Sequence, residues 1–177
     1  MALIIRRRQV AADNWFLLRP AGGTGALEQV PAGDVIIPAR LWVAHRDALL
    51  VRSGRLGVWL DAGDDPQEIA GDLAHFTLIA VDFPQFTDGR GYSMARLLRE
   101  RYGWRGQLRA VGDVLRDQLY YLSRCGFDAF ELRAGQDPHA AIAALDDFSD
   151  GYQTSVEQPL PLFRRRPEPV QIDRDAG

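Results

Sequence analysis

The sequence contains no lysine, so all 21 of its basic residues are arginine. This absence excludes Schiff-base chemistry, a phosphate-binding lysine of the Walker type and a lysine general base. Cysteine occurs once, at Cys125, which excludes an internal disulfide, a thiolate zinc site and the ligand set of an iron–sulfur cluster. No histidine lies near Cys125 in the sequence, so we expect a buried, unreactive thiol. His45, His75 and His139 are far apart in the sequence, and we expect no metal site from them.

Long apolar runs are also missing. No segment approaches the length that spans a bilayer, and residues 1–8 lack an apolar core before their arginines, so we expect a cytoplasmic protein with no membrane partner. The formal net charge of −3 argues against general nucleic-acid binding. With 46% hydrophobic and 25% charged residues, the composition is typical of a globular protein.

The chain length and the distribution of prolines predict one domain followed by a tail. We place a single α/β domain at 1–154, with an N-terminal β-hairpin at about 1–20 and a core at about 34–150. The two strands of the hairpin are expected at the apolar runs 3–5 and 15–18. The proline-rich segment 155–177 shows no periodicity and is predicted to be a flexible C-terminal tail.

Within the core, short apolar runs alternate five times with amphipathic helical segments. The expected strands are residues 35–37, 56–60, 77–81, 107–111 and 128–132. Short connections between such units imply parallel strands and right-handed crossovers. The expected fold class is therefore α/β, a single domain with about five parallel strand–helix units preceded by an N-terminal β-hairpin. The sheet is either doubly wound or half-barrel-like, because five units alone cannot close the usual eight-unit barrel.

Ligands of open α/β sheets bind beyond the carboxyl ends of the strands. That edge collects Asp61, Asp82 and Asp113, with Asp88 in the longest connection beside them. Asp61, Asp88 and Asp113 could equally cap helices or stiffen turns, since aspartate is favoured at both places. Asp82 ends a strand and precedes no cap position, so it is the preferred catalytic candidate and Asp88 is the second.

The connection over residues 83–93 has the composition of an anion-binding loop. Gly89 and Gly91 allow close backbone approach, Arg90 between them adds a fixed charge, and Ser93 places a hydroxyl at a helix start. We therefore predict that these residues bind a small oxyanion. A Gly-Arg-Gly tripeptide also occurs in plain turns, and that alternative stays open.

An arginine-rich stretch follows this loop. It comprises Arg96, Arg99 and Arg101 on the predicted helix and Arg105 and Arg109 beyond it. The usual interpretation is a solvated face. In the alternative interpretation, Arg96 or Arg109 turns toward the loop and binds phosphate, sulfate or an acidic partner.

Three segments form an ordered set of motifs, namely Phe83–Ser93 continued through Leu97–Arg101, then Leu108–Gln118, then Arg124–Phe130. Together they resemble the bacterial DUF934 family over about residues 30–153. Members of that family are described as oxidoreductases involved in sulfite reduction, and the resemblance implies this pathway. It brings no catalytic residue with it.

Three functions are consistent with these features, and whether the protein is an enzyme stays open. The first is an accessory or assembly component of assimilatory sulfite reduction, in contact with sulfite reductase or another sulfate-assimilation enzyme. The second is a small enzyme or sensor that binds a sulfur oxyanion or adenylylated sulfate. The third is a flavin-dependent electron carrier, although Met94 replaces the third glycine of a dinucleotide fingerprint.

Overall fold

The computed structural model describes residues 2–19, 25–147, 154–156, 158–161 and 164. The strands in these residues are β1 (Leu3–Arg6), β2 (Gln9–Ala12), β3 (Phe16–Leu17), β4 (Val35–Pro38), β5 (Leu56–Leu60), β6 (Leu78–Phe83), β7 (Gln107–Gly112) and β8 (Ala129–Phe130). They form one sheet in the order β2-β1-β8-β7-β6-β5-β4-β3. The end of the predicted core, 148–150, and most of the predicted tail lie outside the described residues.

The predicted parallel core is present. From β4 to β8, each strand pairs in parallel with the strand before it. Because the strand order follows the chain order, every crossover moves the chain one strand in the same direction. Right-handed crossovers of this kind place the helices on one face of the sheet. The fold class is α/β as expected, and of the two expected sheet types the structure has the half-barrel.

Helical segments cover that face. The α-helices are α1 (Ala39–Leu50), α2 (Arg90–Arg96), α3 (Leu119–Arg124) and α4 (Pro138–Ala141). The 3-10 helices span Leu27–Gln29, Pro66–His75, Arg116–Gln118 and Ile142–Asp146, and a π-helical stretch over Leu97–Arg101 continues α2. Asp65 and Asp137 each precede a proline and cap their helix through a backbone N–H at 2.9 Å. None of these helices is both long and apolar enough to cross a membrane.

Alternate residues of the strands face two separate apolar clusters. On the outer face, side chains such as Val58, Ile79 and Leu108 pack with the helices in the main core. On the inner face, a smaller cluster comprises Ile36, Trp59, Leu78, Ala80 and Val111, with Trp15 and Leu17 packed against it. Burial on both faces explains why the central strands are continuous apolar runs in the sequence.

The sheet is strongly curled. The chain leaves β2 at one edge and enters β3 at the opposite edge after only residues 13–15. Four residues of extended chain reach at most about 14 Å. Laid flat, eight strands would separate the two edges by about 34 Å. The short connection therefore requires the two edges to approach each other, so the inner face lines an enclosed lumen.

The N-terminal β-hairpin is confirmed, but its second strand is not the predicted one. β1 pairs antiparallel with β2 through a turn at Arg7 and Arg8, both at positive φ (48° and 61°). The run 15–18 contains β3 instead, which pairs in parallel with β4. The prediction failed because Arg-Arg is not a recognisable turn sequence, whereas hairpin turns of this kind favour Asn-Gly.

Candidate functional site

The carboxyl ends of β4–β8 meet at one rim of the sheet, which we call the carboxyl edge. Four arginines at this edge each contact an aspartate. The pairs are Arg19–Asp82 at 2.6 Å, Arg40–Asp64 at 2.9 Å, Arg90–Asp88 at 2.6 Å and Arg133–Asp113 at 3.1 Å. Positive charge at the carboxyl edge is therefore balanced locally by an acidic partner.

Asp82 is the buried member of this set. It lies at the end of β6, alternates with inner-face residues of that strand, and is 8% exposed. The Arg19 guanidinium donates to Asp82 Oδ1 at 2.6 Å and lies 5.5 Å from the centroid of the Trp59 ring. Trp59 in turn donates its indole N–H to the carbonyl of Leu18 at 2.9 Å. Leu18 and Arg19 after β3 are thus fixed, with the Arg19 guanidinium beside Asp82 and Trp59.

Gly112 has no side chain and therefore leaves room for the Asp82 carboxylate. Its φ of +95° is strained for residues with a side chain, and a Cβ there would lie 2.8 Å from Asp82 Oδ1 and 2.5 Å from the carbonyl oxygen of Phe83. Glycine at position 112 is therefore required by the neighbouring strand, because no larger residue fits.

Glu131 is a site residue that the sequence did not reveal. It follows β8, and its backbone N–H donates to Ala110 at 2.9 Å, which continues the strand pairing. Burial raises the pKa of Glu131. The positive charge of Arg109 lowers this pKa, whereas the negative charges of Asp13 and Asp82 raise it. Glu131 lies within the predicted strand 128–132, where an acidic residue among apolar ones is a signal of an inward-facing polar group. Glu131, Asp82 and Arg19 together form what we call the carboxyl mouth.

Arg109 lies inside the lumen, and the prediction of a solvated face is wrong for it. Its side chain is fully buried, because alternation along β7 directs it to the inner face. It donates to both carboxylate oxygens of Asp13, at 2.8 and 3.1 Å. The Gln107 carboxamide, with its oxygen toward Arg109, accepts two further hydrogen bonds at 3.2 and 3.1 Å. A buried guanidinium with this many acceptors is a structural element of the lumen.

The other arginines of that stretch remain outside the lumen. Arg96 is exposed and pairs with Glu100 at 3.0 Å along the helix. Arg99 is nearly buried and donates to the backbone carbonyls of Trp104, Gly106 and Gly126. The solvated-face prediction therefore fits Arg96 and is wrong for Arg99, which ties α2 to the start of β7.

The predicted anion-binding loop has its charge already partnered. Arg90 donates to Asp88 through Nε and Nη2, at 3.0 and 2.6 Å, and these hydrogen bonds lower the pKa of Asp88. Ser93 is exposed. A Cβ on Gly91 would lie 2.6 Å from the Phe83 ring, whereas nothing lies within 4 Å of one on Gly89. Gly91 is therefore explained by packing within the protein.

Asp61 and Asp113 have local partners at the carboxyl edge. Asp61 accepts the backbone N–H of Gly63 at 3.1 Å and so stiffens a turn. It also lies within electrostatic range of Arg90, which places the predicted loop on the same rim. Helix capping was one of the two expected roles of Asp113, but Asp113 does not cap the next helix. It accepts from the backbone N–H of Phe86 at 3.1 Å and from Arg133, so it fixes the loop to the rim.

Comparison with known proteins gives one family match. The model of the family described as bacterial protein of unknown function (DUF934) matches residues 57–163, more than half of the chain. The chain belongs to the DUF934 family. No curated protein and no solved structure matches it. The DUF934 match covers Asp82, Arg109 and Glu131. It begins after Arg19, which pairs with Asp82, and after Asp13, which pairs with Arg109.

The remaining chemistry of this DUF934 chain is limited within the described residues. Cys125 is 4% exposed, and burial raises the pKa of its thiol, which makes it a weak nucleophile. No group of three or more His, Cys, Asp or Glu side chains in the described part of the chain is arranged to hold a metal ion. At the carboxyl mouth, two carboxyl groups and a guanidinium lie within electrostatic range of one another.

Proposed function

We propose that this DUF934 protein is an accessory component of assimilatory sulfite reduction that docks on sulfite reductase or another enzyme of sulfate assimilation. The resemblance to family members described as taking part in sulfite reduction supports the pathway. One observation supports docking: Phe86 and Tyr121, both 53% exposed, lie on one surface beside the carboxyl edge. Together with Tyr92 we call them the aromatic surface.

The aromatic surface is held in place by the residues beneath it. Gln118 donates to the carbonyl of Phe86 at 3.1 Å and to the Tyr92 hydroxyl at 3.0 Å. The Tyr92 and Tyr121 rings lie 5.0 Å apart, and Asp113 holds the Phe86 backbone. Rigid exposed aromatic residues lose little conformational entropy on association and are frequent energetic centres of interfaces.

Binding of purified sulfite reductase to the full-length protein tests the docking proposal. Replacement of Phe86 and Tyr121 by serine should weaken binding by at least about tenfold, since removal of a central interface aromatic costs roughly 2 kcal/mol. Val51→Ser is the matched control, because Val51 is 86% exposed and lies at the end of α1, away from this surface. Absence of binding to sulfite reductase, or equal binding by all variants, would contradict the proposal for that partner.

A second candidate function is binding of a sulfur oxyanion at the carboxyl mouth. The observation that favours it is the Arg19 guanidinium, which can donate paired N–H groups to an oxyanion and lies within electrostatic range of Glu131. Asp82 holds that guanidinium in position at 2.6 Å.

Calorimetric titration with sulfite and sulfate distinguishes the mouth from the predicted loop. Arg19→Gln should abolish binding at the mouth and Arg90→Ala should leave it unchanged. The reverse result would assign the anion to the loop of Gly89, Arg90, Gly91 and Ser93.

Growth of a deletion strain tests the pathway independently. A requirement for cysteine that sulfide relieves and sulfite does not relieve would assign the protein to sulfite reduction. The flavin alternative remains a prediction, and no contact among the described residues favours it.

A further inference from the structure

A cavity of about 490 Å³ opens at the end of the lumen opposite to the carboxyl mouth. Its lining includes residues at or just before the starts of three parallel strands, Arg55, Thr77 and Gln107. Arg6 and Gln9, which pair with each other where β1 turns into β2, lie on its other side. We call this space the amino-end cavity. Its volume lies within the range of ligand pockets, about 300–1,000 Å³.

The amino-end cavity is positively charged, in contrast to the balanced carboxyl edge. Arg6, Arg7 and Arg55 line it, and no carboxylate does. Arg55 is paired with Asp34 through Nε at 3.0 Å. Arg6 has no carboxylate within 4.0 Å among the described residues, although it follows the buried Ile4 on the same face of β1. Within the described part of the chain, the cavity thus contains positive charge at Arg6 that has no carboxylate partner.

Two further features organise this charge. Arg55 lies 4.9 Å from the centroid of the Trp15 ring, which restricts its guanidinium at the cavity wall. Arg7 and Arg8 occupy both central positions of the hairpin turn at positive φ, a conformation that is strained for any residue with a side chain. Three consecutive arginines repel one another, and Arg8 forms a salt bridge with Asp146. The strained turn lowers the stability of the protein and places Arg6 and Arg7 at the cavity.

We propose that the amino-end cavity binds a tetrahedral dianion, phosphate or sulfate, either free or carried by a small molecule of mononucleotide size. Guanidinium groups bind such oxyanions through paired N–H donors, and the carboxamides of Gln9 and Gln107 add neutral donors. The cavity is much larger than one tetrahedral anion, so there is room for the molecule that carries it. This site is separate from the carboxyl mouth, and its existence does not depend on the function proposed above.

Calorimetry on the full-length protein with phosphate, sulfate and AMP tests the proposal. Arg6→Gln should weaken binding roughly tenfold, as expected for loss of one charge-assisted hydrogen bond. Arg96→Gln is the control, since it removes the same charge from an exposed helix site outside the cavity. Tighter binding of AMP than of phosphate would identify a carried dianion, and equal affinities would identify the free ion.

Three results would overturn the proposal. One is the absence of saturable binding of all three probes. Another is equal affinity of the Arg6→Gln variant and the wild type. The third is loss of binding in Arg19→Gln with no loss in Arg6→Gln, because that would assign the anion to the carboxyl mouth. A thermal-unfolding measurement without ligand accompanies each variant, so that a folding defect is separated from a binding defect.

Discussion

Replacement of Arg109 by methionine removes the cationic half of an ion pair enclosed by the curled sheet. Arg109 is 0% exposed and its side chain donates twice to Asp13, at 2.8 and 3.1 Å. In the Arg109→Met variant, the Asp13 carboxylate stays in the lumen without its partner. In the Asp13→Asn variant, the guanidinium stays there with a neutral acceptor in place of a charge.

Removal of one partner of a buried ion pair costs about 3–5 kcal/mol, because the other charge remains buried without compensation. The free energy of unfolding of such domains is about 5–15 kcal/mol, so either variant is expected to lose a large part of its stability. For a chain of this length the melting temperature should fall by roughly 10 °C. The double variant removes both charges of this pair, and we expect it to be at least as stable as either single variant.

Urea unfolding of the wild type, both single variants and the double variant measures this as a double-mutant cycle. The expected coupling energy is about 3 kcal/mol or more. If the double variant loses as much free energy as the two single variants added together, the two side chains do not act as a pair. A loss below about 1 kcal/mol in Arg109→Met would likewise show that the charge is not enclosed.

Three further predictions concern other positions. Glu131→Gln should unfold at a higher temperature than the wild type at neutral pH and at the same temperature near pH 4. Burial raises the pKa of Glu131 above 4.5, so ionisation of this group lowers the stability of the wild-type protein as the pH rises. Melting curves across pH measure this effect, and a difference that does not change with pH would contradict it. Gly91→Ala should cost about 1–3 kcal/mol through collision with the Phe83 ring, whereas Gly89→Ala should be neutral or slightly stabilising; equal unfolding midpoints would refute the packing explanation. The Cys125 thiol should react with an aromatic disulfide reagent far more slowly in the native than in the urea-unfolded protein, and comparable rates would show that it is accessible.

The parallel core could be predicted from the sequence because its signal is local. Five apolar runs separated by helical segments determine parallel neighbours, and all five strands formed near the expected positions. The curl could not be predicted, because it depends on which edge of the sheet each N-terminal strand joins. That choice is made by the pairing of β3 with β4 and of β1 with β8, over sequence separations at which no local pattern operates.

The candidate site was predictable only in part, for a related reason. Asp82 could be located because it ends an apolar run, and the structure places it at the end of β6, paired with Arg19. Arg109 and Glu131 occupy inward positions of strands, where residue type suggests exposure and only the alternation along a known strand shows otherwise. Their partners Asp13 and Arg19 come from the N-terminal segment, so no motif joins these pairs.

The pairing of Ile5 with Phe130 has a consequence for how the molecule is made. β1 leaves the ribosome long before its neighbour β8, so the edge of β1 that does not face β2 stays unpaired until nearly the whole core has been synthesised. Contacts between such distant residues form slowly, and an open strand edge is exposed in the meantime. The arginine-rich hairpin tip keeps that waiting edge charged, which opposes its association with other nascent chains.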